Sequence, residues 1–113
     1  MRKGIELNGE LIGYADLASI KDHTAELGIA IGESRLWGKG IGCHSAICMM
    51  KYGAKYAGIS TFLAETHEEN RRARKMLEKI GFKEVSRMGS EDYLGRKSQL
   101  IQYRLVDDRD TIK

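Results

Sequence analysis

Hydrophobic and polar positions along this 113-residue chain recur at two spacings, every second residue and every third or fourth, and the alternation between them separates strands from helices. Gly4 to Leu7 and Glu10 to Ile20 are strand-like runs flanking Asn8-Gly9, the dipeptide that most readily takes the positive φ angles of a tight turn. An antiparallel hairpin is predicted to open the chain. A second turn, Lys21 to Thr24, leads into a strand whose Ala25, Leu27, Ile29 and Ile31 share one face, while Gly28 and Ala30 leave the other nearly bare. From Ile41 to Tyr56 the spacing lengthens, and Ala46, Met49, Met50 and Gly53 define the apolar stripe of an amphipathic helix. Ile59 to Ala64 returns to a β-prone apolar run, and Asn70 to Ile80 then places Ala73, Met76, Leu77 and Ile80 on the stripe of a second helix. Gly81 stands where a left-handed helix cap is expected, and Phe82 to Arg87 and Ser98 to Leu105 read as two further strands. The predicted order is ββ, β, α, β, α, β, β, forming one domain over residues 1–106 with a charged, frayed tail at 107–113.

Composition narrows the possibilities. With 42% hydrophobic and 31% charged residues the chain can bury one modest core, and no apolar run approaches the ~20 residues of a membrane-spanning helix, so no membrane partner is expected. Met1-Arg2-Lys3-Gly4-Ile5-Glu6 places an acid and a turn where a secretory signal would be apolar, so cytoplasmic residence is expected. Cys43 and Cys48 would point in separate directions from one helix, which suits reduced, buried spacers better than a disulfide or a metal clip. His23, His44 and His67 are too dispersed for a local metal-ligand pattern, and no metal is expected. A net charge of +3 falls far short of the clustered positive field of a nucleic-acid binder and suits a small anionic ligand instead.

The densest chemical signal is Leu36-Trp37-Gly38-Lys39-Gly40-Ile41-Gly42-Cys43, three alternating glycines between a strand and the first turn of a helix. There the backbone N–H groups lack internal partners and the helix dipole adds about half a positive charge, so a phosphate or diphosphate can be held by main chain alone. Such glycines can equally make only a tight connection. The nucleotide P-loop pattern fails, because Gly32 stands too far ahead of Gly38-Lys39 and Gly40 follows the lysine in place of Ser or Thr. The dinucleotide fingerprint fails too, its last position falling on Cys43 or Ser45.

The stretch from Glu26 to Val85 resembles the coenzyme A-binding half of the GNAT (GCN5-related N-acetyltransferase) superfamily. Gly40 and Gly42 match the glycines of that family's loop, and Trp37 stands where its leading Gln or Arg would be. The Trp-Gly-Lys-Gly form is similar to the branch containing ribosomal-protein and spermidine N-acetyltransferases. Asn70-x-x-Ala73, followed by Met76-Leu77-Glu78-Lys79-Ile80-Gly81-Phe82, resembles the family's second helix and its exit into a strand. The resemblance implies an α+β fold: a mixed, mostly antiparallel sheet with two helices packed on it, lacking the first strand and two helices of a complete member. It implies acetyl-CoA as co-substrate, held by Ile29, Ala30 and Ile31, by Trp37, Gly38, Lys39, Gly40, Ile41, Gly42 and Cys43 of the loop, and by Asn70; Arg74, with Arg71, Arg72 and Lys75, can contact the coenzyme's 3′-phosphate or form only the solvated face of its helix.

In that family the pantetheine arm pairs with the strand corresponding to Leu27–Ile31, whose main-chain N–H polarises the thioester carbonyl. The resemblance implies Glu65 as the base that deprotonates a primary amine, whether a peptide N-terminus, a polyamine or a small amine, with Glu26 as runner-up. The family's acidic tyrosine is replaced by Leu77, leaving Tyr103, or Tyr93 in the preceding loop, to protonate the leaving thiolate. The alternative is a non-catalytic module that holds an acyl-CoA or a partner. An edge strand left uncovered would invite pairing with a second copy, so a homodimer is expected.

Overall fold

The computed structural model describes residues 1–32 and 34–107, so all but Asp107 of the anticipated charged tail lies outside the described residues. Its elements are β1 (Arg2–Leu7), β2 (Glu10–Lys21), β3 (Thr24–Ile31), a 3-10 turn (Ser34–Leu36), α1 (Ile41–Ala57), β4 (Thr61–His67), α2 (Arg71–Ile80), β5 (Lys83–Ser86), β6 (Ser90–Tyr93) and β7 (Arg96–Val106). The opening hairpin forms as the dipeptide predicts, with φ of 53° at Asn8 and 80° at Gly9. The strands assemble in the order β1-β2-β3-β4-β7-β5, and β6 pairs with β7. All pairings are antiparallel except β3 with β4.

Helix α1 buries Ala46, Met49, Met50 and Gly53, the four positions its periodicity singled out. They pack with Leu77 of α2 against Ala15, Leu17, Ala25, Leu27, Phe62, Ala64, Ile101, Tyr103 and Leu105, which places both helices on one face of the sheet. The cysteines depart from expectation: Cys43 is half-buried and Cys48 exposed, its Sγ 3.5 Å from His44 Nε2 one helical turn away.

Several boundaries differ from those read in the sequence. The strand anticipated at Ile59–Ala64 starts at Thr61 and runs on to His67, because Gly58 caps α1 at φ 67° and both its N–H and that of Ile59 return to Gly53 O. The last two strands are Lys83–Ser86 and Arg96–Val106. Strand β6 was not anticipated. Its Ser-Glu-Asp-Tyr sequence has no apolar alternation, and it is held by a turn at Leu94-Gly95 (φ 52° and 83°) and by its ladder to β7. Ser98 and Leu100 of β7 are only 4% and 9% exposed.

The parallel pairing of β3 and β4 is short. It joins Thr24 to Thr61, Ala25 to Phe62 and Glu26 to Leu63, and then stops. Beyond that point β3 keeps its ladder to β2 and β4 its ladder to β7, so the two strands fork toward their C-terminal ends. Alternate residues of each strand direct their N–H and C=O groups into the fork, where no ladder partner meets them.

Candidate active site

A cleft of about 770 Å³ runs along the β3 side of this fork. Ile29, Ala30 and Ile31 of β3, the glycine loop, the first turn of α1, one side of α2 and Tyr93 line it. The loop is built by its glycines. Gly38 and Gly40 sit at φ 76° and 82°, where L side chains are strained, and Gly40 is the N-cap of α1. Among the described residues no side-chain hydrogen bond caps that end, and its first turn holds no acid, so neither occupies the free amides. Gly42 serves packing: a Cβ there would lie 3.2 Å from Met76 Sδ, so its absence lets α1 approach α2.

Trp37 fastens the loop to β3 by donating its Nε1–H to Ile31 O at 3.0 Å, and the Arg72 guanidinium lies 5.3 Å above its ring. Asn70 caps α2 by accepting the Ala73 N–H at 3.1 Å, and it also lines the cleft. Arg71, Arg72, Lys75 and Lys79 complete the wall, so among the described residues the lining holds four cations and no carboxylate. An anion is the ligand this field favours.

Of the residues assigned to the coenzyme, Ile29, Ala30, Ile31, Trp37, Gly38, Gly40, Gly42, Cys43 and Asn70 line the cleft. Lys39, Ile41 and Arg74 do not. Lys39 is exposed and Ile41 half-buried, while the Arg74 guanidinium donates to Glu68 O at 3.0 Å. The sequence suggested Arg74 because it shares a helix with Arg71 and Arg72, but its place on that helix turns it toward the β4–α2 link.

Glu65 and Glu26 lie on the sheet face opposite the helices, two residues apart in register, since Glu26 pairs with Leu63. Both are exposed. Glu65 Oε2 accepts from Gln102 Nε2 at 2.8 Å, and the same amide donates to Met88 O at 2.9 Å. Its oxygen accepts from Ser86 Oγ and Met88 N, so Gln102 ties Glu65 to the β5–β6 link. Glu26 Oε2 accepts from Ser19 Oγ at 3.4 Å.

Tyr103 must be corrected as an acid candidate. It faces the helices rather than the carboxylates, is 1% exposed, and its hydroxyl is buried without a hydrogen-bond partner. At the end of β4 the fold assembles a second group from residues far apart in sequence. There the His67 ring stacks on Tyr93 with centroids 4.7 Å apart, and His67 Nε2 lies 3.5 Å from Glu91 Oε2.

Residues 2–83 match the sequence profile described as Acetyltransferase (GNAT) domain. The chain belongs to the GNAT family. It is 32% identical over 83 residues to an uncharacterized protein of Methanocaldococcus jannaschii, covering 74% of this chain and 17% of that protein. It is 31% identical over 64 residues to an N-acetyltransferase 9-like protein of Nematostella vectensis, covering 57% of this chain and 32% of the relative. A mutant of spermidine N-acetyltransferase SpeG from Vibrio cholerae superposes with a TM-score of 0.83 at 22% identity, over 96% of this chain and 66% of that one. Ribosomal-protein-S5-alanine acetyltransferase from Vibrio fischeri gives 0.78 at 19%, over 89% and 57%. At those identities the two structures establish the shared fold. This chain thus spans a third or less of the two curated relatives and about three-fifths of the two solved enzymes. The mixed sheet with two helices is the GNAT-like α+β architecture that the glycine loop and the second-helix motif implied.

Proposed function

We propose that this GNAT domain is an N-acetyltransferase that takes the acetyl group of acetyl-CoA to a primary amine by direct attack. The carrying observation is that a cleft with four cations and, among the described residues, no carboxylate joins the uncapped N-terminus of α1 to the β3 side of the fork between β3 and β4. A diphosphate suits the free amides of α1, and an extended amide-bearing arm suits the unpaired edge of β3. Glu65, on the face opposite the helices, is the proposed base for the ammonium form of the acceptor, acting through water, with Glu26 beside it.

The relatives named above for spermidine and for a ribosomal-protein alanine support amines as the acceptor class. The edge strand β1, paired only to β2, is the proposed site of contact with a second copy. A non-catalytic acyl-CoA module is the second reading, favoured by Leu77, which is 4% exposed in the core and puts no hydroxyl where the family carries its helix tyrosine.

Calorimetric titration with coenzyme A and acetyl-CoA, followed by thiol release over a panel of amines, separates the readings. Binding with acceptor-dependent release supports the enzyme, binding without release supports the module, and no binding at millimolar ligand overturns both.

A further inference from the structure

Glu65 and Gln102 are direct cross-strand partners on β4 and β7, and their side chains meet on the face opposite the helices. On the far side of β7 the irregularity between Glu84 and Ser86 sets Ser86, rather than Val85, opposite Gln102. Met88 follows just beyond the end of β5, and both its N–H and its C=O bond to the Gln102 amide. Each end of that amide is used twice. Nε2 donates to Glu65 Oε2 at 2.8 Å and to Met88 O at 2.9 Å, while Oε1 accepts from Ser86 Oγ at 2.8 Å and from the Met88 N–H at 2.9 Å. A backbone N–H can only donate and a backbone carbonyl can only accept, so Met88 fixes which way round the amide lies. Its donor end must face Glu65.

We propose that Gln102 is a positioning residue for the base of the reaction: it holds Glu65 Oε2 on a fixed donor and so commits the proton taken from the acceptor to Glu65 Oε1. The inference rests on the reading of Glu65 as that base. Glu65 is exposed, and an exposed glutamate otherwise spreads over many rotamers, which a general base working at hydrogen-bond range cannot do. Gln102 removes that freedom. It is itself half-buried and tied to β5 and the β5–β6 link, so the carboxylate is referred to the sheet rather than to solvent. Glu26 has no such anchor, its contact being one rotatable hydroxyl, Ser19 Oγ, at 3.4 Å. In the reaction Glu65 takes one proton of the ammonium through water, the nitrogen bonds to the acyl carbon, and the carbon–sulfur bond breaks with its electron pair passing to sulfur. The second nitrogen proton passes by solvent to that sulfur, and Glu65 releases its own to bulk water.

A double-mutant cycle separates this role from a purely structural one. Thiol release is measured with spermidine, an alanine-terminated peptide and further primary amines, and the fastest acceptor is carried through. With it, kcat, KM and Tm are determined for the wild type, Glu65→Gln, Gln102→Leu, Gln102→Glu and both double variants. Gln102→Leu should lower kcat about 10-fold at nearly unchanged KM for acetyl-CoA. In the Glu65→Gln background it should cost no further rate, because the group it positions is gone. Gln102→Glu keeps an acceptor for Ser86 and Met88 but sets a second carboxylate against Glu65, and should lose a similar factor. Combined with Glu65→Gln it restores an amide–carboxylate bond with the partners exchanged, so Tm should recover while kcat stays low. Equal losses from Gln102→Leu in both backgrounds, an unchanged kcat, or an exchanged pair that regains the rate each overturn the positioning role and leave the acetyltransferase reading standing. An unchanged rate in Glu65→Gln overturns the base and this assignment with it. Release with none of the amines overturns the enzyme reading as well.

Discussion

Replacing Gly40 by alanine isolates what the loop does for a ligand from what it does for the chain. At Gly40 φ is 82° and an added Cβ would meet nothing within 4 Å, so the substitution brings conformational strain without a clash. An L residue held there costs about 1–2 kcal/mol. Gly9 is a matched control: φ is 80°, its added Cβ also has open space, and it sits in the β1–β2 hairpin rather than on the cleft.

The hairpin backbone is held by ladders on both sides of the turn. Gly9→Ala must therefore carry the strain in the folded state and lower Tm by roughly 4–8 °C for a domain of this size. Gly40 is exposed and has no side-chain cap, so its loop can relax out of the left-handed region when no ligand is present. Much of the same strain then falls on binding, weakening coenzyme A by up to about 5–30-fold with a smaller loss of Tm. Thermal melts and calorimetry on the two variants make the comparison. If Gly40→Ala loses no more affinity than Gly9→Ala, the glycine at 40 serves chain geometry alone and the diphosphate argument fails.

Three other outcomes follow from the same geometry. Glu65→Gln should lower kcat for amine acetylation about 100-fold with little change in KM for acetyl-CoA, because Glu65 lies outside the cleft lining; an unchanged rate across pH removes Glu65 as base. Gly53→Ala would place its Cβ 2.5 Å from Leu17 Cδ1 in the core, and overpacking of about 1–3 kcal/mol outweighs the ~1 kcal/mol helix preference for alanine. Its Tm should fall and recover in part with Leu17→Val, whereas a Tm above wild type would refute the packing account. Arg87 donates to both carboxylate oxygens of Glu84 at 2.9 and 3.1 Å and so holds that carboxyl below its ordinary value of 4.5. A depressed folded-state pKa contributes stability above the ordinary value and loses it as pH falls through the folded one. The small Tm deficit of Glu84→Gln at pH 7 should therefore close on acidification below about pH 4, and a deficit that grows there contradicts the pairing.

The sequence by itself determined the elements that local chemistry dictates. Asn8-Gly9 dictates a turn because those residues tolerate positive φ, and Ala46, Met49, Met50 and Gly53 dictate a buried stripe because a helix returns to the same side every third or fourth residue. The alternating glycines before α1 likewise announced an uncapped helix end, which became one wall of the cleft. Tertiary structure decided what depends on residues distant in sequence. The parting of β3 from β4 after Leu63 reflects each strand's allegiance to another neighbour, β2 or β7, which no local pattern encodes. Tyr103 and Tyr93 are alike as letters, both on strands late in the chain. Pairing with Ala64 turns Tyr103 into the core, whereas a hairpin closed by Leu94-Gly95 stacks Tyr93 on His67 at the cleft. Strand periodicity reveals which residues share a face but not which face meets the helices, so only the assembled sheet could separate the two tyrosines.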